Sequence, residues 1–393
     1  MKILLSNLTK MVNHSDGVAK VVCAFANEMV KRGHTVSIIH SDEQEGSFFF
    51  PLNKSIKTYN AKKNKDGSII KFPFYLRALR EVVRPFNKRN AQIINRDFDE
   101  KKLVANLKRY LEEINPDIIV SCPIESSIYF LRNLKTNIPV ITMSHGSQRD
   151  SFDEKEVYAL ENSALYQVLL PSFEEHIKKI LPKVNVITMG NAVPSFEVCA
   201  DLSKEKEQYK IIFVGRLSRG TKRPHIIIQA FAKLAQRYPD WIVELWGAKE
   251  RPSYYEELVQ LIKSNRLGNR VFLKGTTNDV PSVLRQADIF AFPSYWEGFS
   301  LALTEGMSMG LPAIGFKNCP GTNELIKDGV TGCLCDDGVE NFSNALEKLI
   351  SNKELRVKMG KAATQDMKQY ETQSHWDKWE EIIRKVVFNT GEE

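Results

Sequence analysis

Residues 287–316 read ADIFAFPSYWEGFSLALTEGMSMGLPAIGF, and the order of residue types in them decides the architecture. An apolar run over 289–292 is stopped by Pro293-Ser294, a loop carries Glu297 and Gly298, and a helical pattern opens near Phe299 or Ser300. Gly310-Leu311-Pro312 ends that helix, and a second apolar run follows over 313–316. Strand, loop, helix and strand in this order make a βα unit, and such units build parallel sheets. The amides of Phe299, Ser300 and Leu301 precede the first intrahelical bonds, so they can point at an anion that the helix dipole also favours. Ser300 is a suitable cap, and Gly298 permits close backbone approach. Glu305 lies one to two turns into the helix, with seven residues between it and Glu297. Eight helical residues rise about 12 Å, whereas a carboxylate pair that cleaves a glycosidic bond with retention stands roughly 5–5.5 Å apart. Hydrogen bonding to sugar hydroxyls at two separate places fits this pair better.

Upstream, residues 211–231 read IIFVGRLSRGTKRPHIIIQAF: an apolar run, a turn at Gly215, a cation-bearing loop and a helix that Pro224 can open. Arg216 and Lys222 flank that loop. A guanidinium fork with an ammonium point charge can hold a diphosphate without a metal ion.

The same alternation runs through the rest of the chain. Strands are expected at 2–8, 35–40, 117–121, 139–143, 166–170 and 185–188, and again at 210–214, 241–246, 270–274, 289–292, 313–316 and 332–334. Val18, Val21, Val22, Phe25, Ala26 and Met29 put one apolar stripe on the first helix. The pattern stops at the charged string DLSKEKEQYK. The expected organisation is a domain over 1–194, a linker over 195–209, a domain over 210–372, and a terminal helix over 373–393 that packs back on the first domain. Trp376, Trp379, Ile383 and Val386 recur at helical spacing in that last segment. Two open α/β domains predict a ligand in the cleft between them.

Composition excludes several classes. The 393 residues are 42% hydrophobic, 26% charged and 10% aromatic with net charge +7, which is ordinary for a globular protein and rules out collagen-like, disordered and mini-protein readings. The amino-terminal apolar run is too short for a secretory signal and reads as a buried strand, and no run is long enough to span a bilayer. Six scattered cysteines, without CxxC pairs, fit a reduced, cytosolic protein with no structural metal. Neither GxGxxG nor GxxxxGK[ST] occurs. Asp97-Phe98-Asp99 is a literal DxD, but it lies in a polar stretch leading into a helix. Residues 54–96 hold twelve Lys/Arg against Asp66 and Glu81, a net +10. Within them Tyr75, Leu76, Leu79, Val82, Val83 and Phe86 form one helical stripe, and Arg77, Arg80, Arg84 and Lys88 run along another, with Pro85 to end the helix. Two readings stay open: a basic amphipathic helix lying on an anionic membrane, or a core-facing stripe with a solvated basic face. No nucleic-acid recognition module is present.

GRLSRGTK followed by EGFSLALTE resembles the retaining glycosyltransferases of family 4, strongly over 210–335, more weakly over 1–41 and 139–193, and not over 42–116. The Glu297 to Glu305 spacing resembles that family's paired-Glu motif, and NELIKDGVTGCL at 323–334 agrees as well. The resemblance implies the GT-B fold, two Rossmann-like doubly wound α/β domains facing a central cleft. It implies that Arg216 and Lys222 grip the donor diphosphate and that Glu305 holds the ribose. Glu297 would face the transferred sugar, with Gly215, Gly298 and the amides of Phe299, Ser300 and Leu301 against the donor. Gly17 resembles a donor-side glycine of the first domain, with Asp16 where the family has another glycine, and His145 resembles a histidine beside the donor sugar. Arg216, Lys222, Glu297 and His145 form the implied catalytic set. A base pocket is expected near Gly247 and residues 275–278.

The expected activity is that of a retaining, metal-independent hexosyl- or N-acetylhexosaminyltransferase with no cofactor, the nucleotide-diphosphate sugar being its substrate. UDP-sugar ranks first as donor and GDP-sugar second. The acceptor expected is a saccharide or lipid-linked saccharide of cell-envelope polysaccharide synthesis, used in the cytoplasm at the inner face of the membrane, with membrane contact through 71–96 and no nucleic acid. The competing expectations are a nucleotide-sugar epimerase of the same fold and a non-catalytic GT-B partner protein.

Overall fold

Short β-branched and aromatic runs become strands, and the helices between them carry the chain back so that neighbouring strands run parallel. The computed structural model describes residues 1–14, 17–146 and 149–388, without the side chains of Lys88, Arg89, Gln92, Asn95, Arg96, Asp97 and Lys101. Asp16 and the Asp97 carboxylate therefore lie outside the described residues. The chain forms two units, one holding Met1–His145, Arg149–Met189 and Trp376–Glu393, the other Gly190–His375 with Gly146–Gln148.

Among the described residues the first unit carries β1 (Lys2–Asn7), β2 (Thr35–His40), β3 (Lys57–Asn60), β4 (Ile118–Cys122), β5 (Val140–Met143), β6 (Leu165–Val168) and β7 (Val186–Thr188). They pair in parallel in the order β3-β2-β1-β4-β5-β6-β7. Only β3, with the sequence KTYN, falls outside the apolar runs. It is an edge strand whose residues are exposed or half-buried, so it has no hydrophobic face to announce it. Leu4, Ile39, Leu103, Leu107, Ile119 and Phe130 pack into one core beneath this sheet. The helix Gly17–Lys31 buries Ala19, Val22, Cys23, Phe25, Ala26 and Met29, whereas Val18 and Val21 from the expected stripe are half-buried. The helix Thr372–Phe388 crosses into this unit at Trp376. Trp376 and Trp379 meet the Phe25 ring edge-on, each with centroids 5.2 Å apart.

The basic segment forms the helices Phe74–Val83 and Lys88–Ile114. Tyr75, Leu79, Val82 and Phe86 are exposed, so the expectation of a core-facing stripe fails, and only Leu76 and Val83 turn partly inward. The Asp97-Phe98-Asp99 motif falls inside the longer helix, where the Asp99 carboxylate stands 3.5 Å from Lys62 Nζ.

The second unit carries, among the described residues, β8 (Tyr209–Val214), β9 (Trp241–Trp246), β10 (Val271–Gly275), β11 (Ile289–Ala291), β12 (Ala313–Phe316) and β13 (Gly332–Cys335), in the parallel order β10-β9-β8-β11-β12-β13. Its core joins Ile211, Phe213, Val243, Leu245, Ile289, Ile314 and Phe316 of the sheet to Ile227, Phe231, Phe342 and Leu346 of the helices. Residues 195–209, expected as a linker, belong to this unit: Ala200 N–H donates to the Met309 carbonyl and Leu202 is buried. Cys333 and Cys335, two residues apart on β13, share a face and are both buried in this core. Both sheets reverse their strand order beside the first strand, between β1 and β4 and between β8 and β11. In open parallel sheets such a reversal opens a crevice at the carboxyl ends of the strands. Among the described residues no helix is long and apolar enough to cross a membrane.

Candidate active site

The reversal in the second sheet places the two loops singled out by sequence side by side. β8 and β11 are direct neighbours, Ile211 opposite Ile289 and Ile212 opposite Phe290. Residues 215–224 leave β8, and residues 292–300 leave β11. Three bonds tie the loops together. Tyr295 N–H donates to the Thr221 carbonyl at 2.8 Å, Lys222 Nζ to Glu297 Oε1 at 2.6 Å, and Arg223 Nε to the Pro293 carbonyl at 3.1 Å. Local bonds shape the first loop as well: Lys222 N–H donates to Ser218 Oγ and Arg223 N–H to the Ser218 carbonyl.

The Lys222 and Glu297 side chains are 15% and 11% exposed, so their ion pair is shielded without being sealed from solvent. The ammonium also stands 5.0 Å from the centre of the Phe292 ring. An ammonium carries three donors, so pairing with Glu297 does not exhaust its capacity for an anion. Arg216 is placed differently. Its side chain is 64% exposed and lies 3.7 Å from Glu250, outside the network around Lys222.

The helix expected to open near Phe299 or Ser300 begins at Leu301 and runs to Ser308, with Ser300 as its cap: Ser300 Oγ accepts from Leu303 N–H at 3.4 Å. Glu305 sits on this helix and is buried at 9% exposure. Phe299 turns its ring inward against Tyr370, centroids 5.0 Å apart, so this residue offers the crevice its backbone rather than its side chain. Burial pushes the Tyr370 phenol up to about 12, which keeps it neutral. Cys319, whose Sγ lies 3.2 Å from Thr322 Oγ1, is pushed up to about 11 by burial, with a further increment from the Glu297 charge, and so remains a thiol rather than a nucleophile.

Glycines let the strand ends close on one another. A Cβ on Gly247 would stand 1.8 Å from the Gly215 carbonyl oxygen, and one on Gly321 would stand 2.0 Å from that of Gly298, at φ +80. Gly247 N–H donates to the Gly275 carbonyl at 2.7 Å, which joins the two places expected to flank a base.

Gly17 is the exposed first residue of its helix, and a Cβ there would meet nothing within 4 Å. His145 is half-buried two residues past β5. Both belong to the first unit, whereas Gly215, Arg216, Lys222, residues 297–301 and Glu305 belong to the second. Sequence reading missed Arg223, which donates to both Asp337 oxygens, at 3.1 and 2.9 Å, and lies over the Tyr295 and Phe316 rings. Its positive φ of 50 was the only local peculiarity, and it is invisible in sequence. Tyr295 and Trp296, half-exposed beside Glu297, were also missed. Among the described residues no group of three or more His, Cys, Asp or Glu side chains is placed to hold a metal ion.

Comparison with known proteins agrees with this layout. Residues 197–366 match the family described as Glycosyl transferases group 1, and residues 15–176 match Glycosyltransferase Family 4. An uncharacterized glycosyltransferase of Haemophilus influenzae is 28% identical over 200 residues, 51% of this chain and 55% of that protein. The UDP-Gal:alpha-D-GlcNAc-diphosphoundecaprenol alpha-1,3-galactosyltransferase of Escherichia coli is 32% identical over 139 residues, 34% of this chain and 36% of that one. The chain thus spans about half the length, or less, of the curated relatives it matches first. The structure of Anabaena HepE in complex with UDP superposes with a TM-score of 0.73 at 18% identity, covering 98% of this chain and 100% of that one. The chain has the GT-B fold of the glycosyltransferase structures it superposes on.

Proposed function

We propose that the protein is a retaining glycosyltransferase that moves a hexosyl or N-acetylhexosaminyl group from a nucleotide-diphosphate sugar to an acceptor hydroxyl. The observation that carries this reading is the Lys222–Glu297 pair, held where the strand order reverses beside a capped helix start. The cation suits a diphosphate, the carboxylate suits sugar hydroxyls, and the two are adjacent as those groups are in a nucleotide sugar.

In the reaction the bond from the anomeric carbon to the diphosphate oxygen breaks, and a bond from that carbon to the acceptor oxygen forms. The acceptor proton passes to the departing diphosphate oxygen on the same face, in keeping with retention. The protein's task is to stabilise negative charge as it grows on the leaving group, and preorganised donors do this without reorganising. Lys222, Arg216 and the amides of residues 299–301 take that role, so the scheme requires no divalent ion. Glu305 holds the ribose, and Glu297 orients the transferred sugar while keeping the Lys222 ammonium in place. Gly17 and His145, in the first unit, keep the donor-side roles that the resemblance implies for them.

UDP-sugar is the first choice of donor, supported by the UDP bound to HepE, and GDP-sugar the second. A saccharide or lipid-linked saccharide of cell-envelope polysaccharide synthesis is the acceptor, supported by the lipid-linked acceptor in the name of the Escherichia coli relative. The reading places the work in the cytoplasm, at the inner face of the membrane. Thermal-shift measurement with UDP, GDP, CDP and ADP, each with and without EDTA, tests it. At 100 times its Kd a ligand stabilises by about 2.7 kcal/mol, so UDP is expected to raise the melting temperature equally with and without EDTA. A shift that EDTA abolishes would overturn the metal-free scheme, and no shift with any nucleotide or intact UDP-sugar would overturn the donor assignment.

A further inference from the structure

The helix Phe74–Val83 and the turn after it present an apolar face to solvent. Phe74 is 83% exposed, Tyr75 70%, Leu79 49%, Val82 66% and Phe86 87%. Tyr75, Leu79, Val82 and Phe86 follow one another at spacings of four, three and four, which is one line along a helix. Among the described residues, five of the twelve exposed large apolar side chains lie within these thirteen positions. A contiguous exposed patch of this kind marks an interaction site.

The fold holds the helix from beneath and leaves this face outward. Phe72, buried, carries the Arg80 guanidinium over its ring at 5.5 Å, and Phe72 N–H donates to Glu43 Oε1 at 3.1 Å. Glu43 follows the carboxyl end of β2 and also meets Lys62 Nζ at 3.2 Å and an Arg77 nitrogen at 3.6 Å. The helix therefore starts at the carboxyl-terminal end of the first sheet, the end where the β1 loop and His145 also lie.

Charge selects the occupant. Residues 71–86 hold Lys71, Arg77, Arg80 and Arg84 against Glu81 alone, within the 54–96 stretch of net +10. The Arg77 and Arg84 side chains are half-exposed and flank the apolar line. Aromatic and aliphatic side chains between arginines are what a helix needs to lie in the plane of an anionic bilayer, rings at the headgroup level and guanidinium groups on the phosphates. We infer that residues 71–86 dock this protein on an anionic lipid surface, seating Phe74, Leu79, Val82 and Phe86 among the acyl chains. The docking serves the lipid-linked acceptor of the proposed function and rests on that reading for its purpose, though not for its physics.

Flotation of the full chain with phosphatidylcholine vesicles, with and without about one-third phosphatidylglycerol, tests the inference. Two variants accompany it, one carrying Leu79→Ser, Val82→Ser and Phe86→Ser, the other Arg77→Gln and Arg84→Gln, which remove the positive charge without setting a carboxylate against Glu43 or Glu81. Because these side chains are exposed, both variants should melt like the parent and keep its UDP thermal shift. The parent is expected to float with the anionic vesicles and not the neutral ones, and each variant should lose at least about tenfold in partition. Equal flotation of parent and variants, or no flotation of the parent, overturns the inference. So does a concentration-dependent dimer of the parent that the triple serine variant abolishes, since the face would then belong to a second copy. A normal UDP shift without flotation sinks only the docking surface, whereas flotation without any nucleotide shift sinks only the proposed activity.

Discussion

Lys222 and Arg223 are sequence neighbours with opposite duties. Lys222 sends its ammonium into the crevice to Glu297, while Arg223 turns back to bind the Pro293 carbonyl and Asp337, so the two loops that frame the crevice are clamped from both sides of one peptide. A guanidinium meets a carbonyl and a carboxylate at once through separate nitrogens, which an ammonium cannot reproduce in the same geometry. Lys222→Ala is therefore expected to lower kcat/KM for sugar transfer by at least about tenfold, by removing charge from the departing diphosphate. Arg223→Lys should lower kcat several-fold with the KM for donor little changed, because it loosens the loop without touching the ligand. Steady-state kinetics with both variants separate these outcomes. Near-normal turnover of Lys222→Ala would end the diphosphate role, and a raised KM with kcat unchanged for Arg223→Lys would make it a binding residue.

At the scale of elements, the terminal helix Thr372–Phe388 shows how charge and packing act together. Trp376, Trp379 and Ile383 are buried, and beside them Glu380 gathers Arg384, Arg32 and His34. Those bonds, the one to Arg384 foremost, bring the Glu380 carboxyl from 4.5 down to about 2. A carboxylate so depressed stabilises the fold fully above pH 4.5, and that contribution is lost as the pH falls from 4.5 towards 2. Burial lowers the pKa of His34 from its ordinary 6.5, so its contribution is present while the imidazole is neutral and starts to be lost as the pH drops through that value. Both groups make acid destabilising. Circular-dichroism melts between pH 7 and 3 should show a falling melting temperature. Glu380→Gln should start lower at pH 7 and fall less steeply below pH 4.5. Parallel curves for the two proteins would remove Glu380 from the account.

Over the whole molecule, charge is unevenly distributed. The net +7 is smaller than the +10 carried by residues 54–96, so the remainder of the chain is slightly acidic. Exposed charges are screened over about 10 Å at 0.1 M salt and about 3 Å at 1 M, while shielded pairs such as Lys222–Glu297 are screened far less. Raising salt across that range should release the protein from anionic vesicles and leave most of the UDP thermal shift. Flotation that persists unchanged at 1 M salt would show that basic residues contribute little to docking.

Much of the architecture was legible in the chain. Twelve strands lie where short apolar runs predicted them, because each buried strand must carry its own hydrophobic residues. The Ser300 cap and the helix start at Pro224 were legible too, since helix starts are specified within a few residues. β3 was not, because an exposed edge strand needs no apolar face. The Lys222–Glu297 pair joins positions 75 apart and exists only because β8 and β11 are neighbours in the sheet. Arg223 has no motif of its own and becomes a clamp only when Pro293 and Asp337 arrive beside it. The stripe at Tyr75, Leu79, Val82 and Phe86 was visible as a pattern, but periodicity states only that residues share a face. Whether that face turns to the core or to solvent depends on what packs beneath the helix, and Phe72 and Glu43 decided it.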